Sequence, residues 1–219
     1  MYRLDWSVVW RNSQLLTDGL MVTLELSIVA LIVSMIIGIA VAYARLSKHR
    51  AISGAAGAYV EFIRNIPLLL ILFFVYFGLP AFQISLTERL SAVLALSLYS
   101  AAYMTEIFRA GIVAVGHGQV EAGQALGLTG FQISRSVVLP QAFRVVLPSL
   151  GNQFISLIKD SSLAVAIAVR ELTYAAVRIN DISWRIVEVY SVVAAMYLLV
   201  TYSVAFGLRM LENTLRRRS

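Results

Sequence analysis

From Gly19 to Ala44 the chain reads GLMVTLELSIVALIVSMIIGIAVAYA, with Glu25 as its single charge. A run of that length and polarity has few places to go. About 20 mostly apolar residues in a helix cross the hydrocarbon core of a bilayer, and a water-soluble domain of this size cannot bury several such stretches. Four more follow: Ile66 to Phe82, Leu86 to Phe108, Val145 to Val169 and Ile186 to Leu208. Composition points the same way, with 59% apolar and 14% charged residues and a mean hydropathy of +0.80. Soluble domains carry about 45–50% and about 25%. The chain therefore reads as an all-α membrane protein, one domain over residues 1–219 with five transmembrane helices. The first run exceeds the core of a signal peptide and has no charged leader, so it is expected to remain in the mature chain.

The formal charge of +6 does not indicate nucleic acid, because the basic residues flank the apolar runs. If Arg45 follows the first span into the cytoplasm, that side holds Arg45, Lys48, Arg50, Arg64, Arg109, Arg135, Arg144, Arg209 and Arg216 to Arg218. The other side holds Arg3, Arg11, Arg89, Arg170, Arg178 and Arg185. The excess places the N-terminus outside and the C-terminus in the cytoplasm, with the basic tail as an inner-face anchor in the lipid bilayer. The chain has no cysteine, which excludes disulfides, thiolate zinc sites and Cys nucleophiles. His49 and His117 are its only histidines and fall in different loops. No Gly-x-x-x-x-Gly-Lys-Ser/Thr phosphate loop is present, so no nucleotide is expected to bind this chain. It is expected to be no enzyme, with no metal or cofactor of its own.

Between the third and fourth runs lies a segment over 109–144, punctuated by Gly111, Gly116, Gly118, Gly123, Gly127 and Gly130. A connection so long is functional or disordered, and Val120, Ala122, Ala125, Leu126 and Leu128 argue for short helices with apolar faces. Gly116 to Gly130 contains no Lys or Arg, so docking into a groove of a soluble partner fits better than resting on a membrane surface. Within it, Glu121-Ala122-Gly123, Gly127, Val137 and Leu139-Pro140 are similar to the EAA loop of permease subunits in ATP-binding-cassette importers. That pattern is Glu-Ala-Ala, three residues, Gly, nine residues, an aliphatic residue, one residue, Leu-Pro. The only departure is Gly123 for the second Ala. The stretches Tyr59 to Leu68, Ala102 to Ile112, Leu139 to Ala142 and Lys159 to Leu163 resemble the polar amino acid branch of that family.

The resemblance implies a type I importer in the bacterial cytoplasmic (inner) membrane. It implies two permease subunits, identical or not, and two ATPase subunits that hold ATP and Mg and bind the EAA loops. An external binding protein would deliver the amino acid. Glutamate, aspartate or glutamine is favoured as cargo, with basic amino acids next.

Ionisable groups at membrane depth mark functional sites unless they are paired. Asp160, with Ser161 and Ser162, is expected to line a water-filled path and meet the ammonium group of the cargo. The alternative is that Lys159 or Asp160 ties the fourth span to a neighbour such as Glu106 or Arg109. Tyr99, Ser100 and Tyr103 sit at depth in the third run, where they line the path or simply pack. Glu61 and Arg64 suggest a local ion pair, and Asn152 and Gln153 suggest hydrogen bonds across a two-permease interface. Two other classes stay open: an ion-coupled secondary amino acid transporter with Asp160 or Glu106 as carrier, and a scaffold without a path.

Overall fold

The computed structural model describes residues 3–216, and among them the chain is helices and turns without strands. Arg217 and Arg218 of the basic tail lie outside the described residues. A short helix, α1 (Ser7–Arg11), leads into the long α2 (Ser13–Arg45). One side of α2 is buried, and much of that side is small: Gly19, Thr23, Ser27, Ala30, Ser34, Gly38 and Ala42. Lipid tails are as apolar as leucine, so membrane helices gain from close packing rather than from leaving water, and small residues permit it. The buried hydroxyls cost little, because Ser27 Oγ donates to the Thr23 carbonyl at 2.7 Å and Ser34 Oγ to that of Leu31 at 2.9 Å.

After α3 (Arg50–Arg64) the chain bends by 104° into α4 (Leu68–Phe73), which runs on through a π turn and a 3₁₀ turn to Phe82. The cause is local. Ile66 precedes a proline, which disfavours helical geometry, and Pro67 itself is extended with ψ 135°. The run expected as a span over 66–82 falls on the second arm of this bent pair. The 15 residues of that arm reach about 22 Å, short of a bilayer core.

Helix α5 (Glu88–Ala114), capped by Thr87 Oγ1 accepting from Leu90 N–H, packs along α2. At their contact a Cβ on Gly38 would stand 2.6 Å from Met104 Cβ. Next come α6 (His117–Ala125) and α7 (Gly130–Ile133), the latter started by a Thr129–Gln132 capping box. A π turn over Ser134–Val138 then carries α7 without a break into α8 (Leu139–Asp160). The short helices expected within 109–144 are α6 and α7, but the two ends of the segment belong to the long helices α5 and α8. Gly111 shows why: it is a packing glycine, facing Val146 Cγ1 and the Ala142 carbonyl, and not a break.

The fourth run also differs from the expected 145–169. Its helix ends at Asp160, where Ser161 Oγ takes the Ile158 carbonyl at 2.7 Å, and the chain tightens into a 3₁₀ turn over Ser161–Ile167. Helix α9 (Leu172–Ser183) and the long α10 (Ile186–Arg216) complete the order. Among the described residues α2, α5 and α10 are each long and apolar enough to cross a membrane, and the bent α3–α4 pair makes a fourth candidate. The 22 residues of α8 include Arg144, Asn152, Gln153, Lys159 and Asp160 and do not qualify on composition.

Three buried clusters organise the interior, one of them Met104, Val146 and Leu150 between α5 and α8. Leu26, Leu72, Ala95, Leu96, Leu157, Ala164 and Val169 join α2, α4, α5, the end of α8 and the 3₁₀ turn. Val9, Leu16, Leu172, Ala176, Ile179 and Val189 join α1, α2, α9 and α10.

Candidate coupling loop and transport path

Helix α6 ends in a backbone lock. Gly127 takes φ 75°, its N–H returns to the Gln124 carbonyl at 2.9 Å, and the Leu128 N–H returns to that of Gly123 at 3.1 Å. This is the doubly bonded C-terminal cap that a left-handed glycine permits. Gly123 is buried, and a Cβ there would stand 2.9 Å from Ile133 Cγ1, which gives a physical reason for the small residue at the one departure from the EAA pattern. Glu121 and Ala122 face outward, while Leu126 and Phe131 are 79% and 72% exposed. Leu139 and Pro140 stand on the first turn of α8, past the π turn, with both side chains exposed. The result is a short helix with a fixed end and an uncovered apolar margin.

The other expected residues gather around the facing surfaces of α5 and α8. Tyr99 and Tyr103 share a hydrogen bond of 3.2 Å between their hydroxyls, with ring centroids 5.0 Å apart. Ser100 is buried, and its Oγ accepts from Gln153 Nε2 at 3.3 Å. Gln153 thus points into the subunit and not across an interface as expected. Asp160 is half-buried and lies within electrostatic reach of the Tyr99 hydroxyl. Ser161 is fully buried with its hydroxyl spent on the helix end, while Ser162 stays half-buried.

Arg64 does not form the expected pair with Glu61. Its guanidinium lies over the Tyr103 ring, 5.1 Å from the centroid. Together with Glu106, Gly111, Val146 and Ser149 these two residues line a cleft of about 480 Å³. Glu106 does not reach Lys159. Its Oε2 accepts from Arg109 Nη2 at 2.8 Å and its Oε1 pairs with Arg45 Nη2 at 3.5 Å, so it ties the end of α2 to α5. Arg45 also lies across Gly57 of α3. The sequence offered Arg45 only as an orienting charge and Arg109 as a tie to the fourth span. Nothing in their spacing marks a cluster assembled from three helices.

Residues 34–217 match the model of the family described as binding-protein-dependent transport system inner membrane component. The chain belongs to that family. It is a transport subunit of the ATP-binding-cassette class and not an enzyme. Among curated relatives, this permease is 39% identical over 211 residues to the probable glutamine ABC transporter permease protein GlnM of Bacillus subtilis (strain 168), covering 96% of this chain and 98% of the relative. It is 37% identical over 214 residues to the glutamine transport system permease protein GlnP of Escherichia coli (strain K12), covering 97% and 98%. Among solved structures, the crystal structure of an amino acid ABC transporter with histidines superposes with a TM-score of 0.92 at 35% identity, covering 97% of this chain and all of that one.

Proposed function

We propose that this chain is the permease subunit of an ATP-driven importer for a polar amino acid of the glutamine class, with glutamate or aspartate next. The observation that carries the reading is near-full-length likeness to two glutamine permeases at 39% and 37% identity. The cleft chemistry supports it. The Arg64 guanidinium, the Glu106 carboxylate and the Tyr103 phenol border one space, with Tyr99 hydrogen-bonded behind Tyr103, and an amino acid zwitterion offers the complementary charges. Tyr99, Ser100, Tyr103, Asp160, Ser161 and Ser162 belong to the path in this reading, the buried serines by shaping its wall.

Helix α6 is the coupling helix, with Glu121, Ala122, Gly123 and Gly127 as its docking element and Leu139 and Pro140 on the first turn of α8 completing the loop. A pair of ATPase subunits carrying ATP and Mg engages it, a second permease completes the membrane part, and an external binding protein delivers cargo. Five spans, with α8 polar because it faces the path, put the termini on opposite sides of the bacterial inner membrane, and the excess of basic residues puts the N-terminus outside and the C-terminus in the cytoplasm. The ion-coupled alternative has no support from the family.

The test is uptake of radiolabelled glutamine by proteoliposomes holding the complex co-purified with this chain and its binding protein. Uptake that requires ATP beside the ATPase is the expected outcome. A chain that purifies alone and transports glutamine on a sodium or proton gradient without ATP would overturn the reading.

A further inference from the structure

The reversal between α8 and α9 is fastened by a carboxylate for which the transport path has no direct use. After the 3₁₀ turn, Ala168 takes φ 62°, and the N–H groups of Ala168 and Val169 return to the carbonyls of Val165 and Ala164 at 2.9 and 3.2 Å. Glu171 then caps α9. Its Oε1 accepts from Tyr174 N–H at 2.7 Å and its Oε2 from Thr173 N–H at 2.8 Å. Tyr197 Oη, reaching from α10, donates to Oε2 at 2.9 Å. On the other side Leu172 N–H donates to Thr23 Oγ1 of α2 at 3.2 Å. Gly19 admits this backbone, since a Cβ there would stand 3.0 Å from the Glu171 carbonyl oxygen. Glu171 is 0% exposed.

Burying a carboxylate is costly unless donors surround it. Here three donors do, from two helices, so displacing any one of them uncovers the charge. That makes the node a rigid fixture where α2, α9 and α10 meet. Between it and Asp160 the chain is pinned at intervals: Ser161, Ala164 and Val169 are fully buried and Ile167 nearly so, the 3₁₀ turn packing against α4 and α5, while Leu163, Ala166, Ala168 and Arg170 are exposed.

We infer that Glu171 is a positioning residue for the path: with Tyr197 and Thr23 it anchors the 161–171 reversal and so sets where Asp160 and Ser162 stand. The inference rests on the reading of those two residues as path-lining. Were Glu171 a helix cap alone, its loss would lower stability and leave Ser162 where it is.

The absence of cysteine supplies the experiment. Ser162→Cys places the only thiol in this subunit, in the complex assembled with its ATPase in lipid nanodiscs. A water-soluble methanethiosulfonate reagent is added with and without glutamine, and modification is followed by the mass of this subunit. In Ser162→Cys alone the thiol reacts and glutamine slows the reaction. With Glu171→Gln added the rate changes about tenfold, equivalent to about 1.4 kcal/mol, and protection by glutamine is lost. Tyr197→Phe moves both readouts in the same direction by less.

Rates and protection unchanged in both variants, even with a lowered melting temperature, overturn the inference. If Glu171→Gln does not assemble, Tyr197→Phe decides alone, and parental behaviour there overturns it. A Ser162→Cys parent that glutamine fails to protect sinks the path reading first and this inference with it, which separates the two failures.

Discussion

Gly127 closes α6 with φ 75°, and apart from its immediate chain neighbours nothing lies within 4 Å of where its Cβ would be. Space is therefore not what requires a glycine there. The backbone is. A β-branched side chain at positive φ is a true outlier, and the left-handed conformation costs an ordinary residue about 1–2 kcal/mol. Gly127→Val is expected to insert normally, to retain much less ATPase on co-purification and to lower uptake about tenfold or more. Gly127→Asn, whose side chain tolerates that conformation, retains most of both. Full ATPase retention by the valine variant would remove α6 from the docking role. At this scale the sequence was informative wherever a residue acts locally: Gly127, the Thr129–Gln132 box and Pro67 each do what their chemistry dictates within four residues of themselves. It gave Arg64 the wrong partner and was silent on Glu171, because the actual partners, Tyr103 and Tyr197, lie 39 and 26 residues away.

Helices α2 and α5 meet along small residues, and Gly38 is the tightest point. Its Cβ position lies 2.6 Å from Met104 Cβ and 3.3 Å from the Ala101 carbonyl oxygen. The clash is with a Cβ and backbone, not with the far end of a flexible chain, so relief requires the helices to part. Gly38→Val is expected to destabilise the subunit by about 1–3 kcal/mol, the usual effect of overpacking, read as a lower melting temperature of the detergent-solubilised complex. Gly54→Ala on α3, where nothing lies within 4 Å, is the control and is expected to be neutral or to stabilise by up to about 1 kcal/mol. Equal melting temperatures for the two would show that α2 and α5 can part at no cost. The same two kinds of glycine explain why element boundaries were misread. Gly111 and Gly127 look alike in sequence, yet one lets α8 approach α5 and the other ends a helix, and only the neighbouring helix distinguishes them.

The whole molecule has a recognisable end. Trp6, Trp10 and Trp184, 44%, 77% and 80% exposed, gather where α1 meets the start of α10, and Arg185 Nη1 donates to the Arg3 carbonyl there. Exposed tryptophans suit a membrane–water interface. With the N-terminus outside, Gln83→Cys and Asp181→Cys are expected to react with an impermeant thiol reagent added to intact cells, and Lys48→Cys and Gln124→Cys only after permeabilisation. All four positions are exposed in the fold, and the parent has no thiol to confuse the result. The reverse pattern would invert the topology and put α6 on the wrong side for a cytoplasmic ATPase. What the sequence determined by itself follows from short-range physics. Apolar length requires a bilayer, basic flanks suggest an orientation, and the EAA spacing identifies the family, because each is written within a few turns of one segment. Tertiary structure alone decided that the run over 66–82 is half of a bent pair and that α8 ends at Asp160. It also decided that Gln153 turns inward to Ser100 and that Glu106 holds Arg45 and Arg109. Those outcomes depend on which helices are neighbours, and a buried polar group takes the partner that packing brings within hydrogen-bonding distance, wherever that partner lies in the chain.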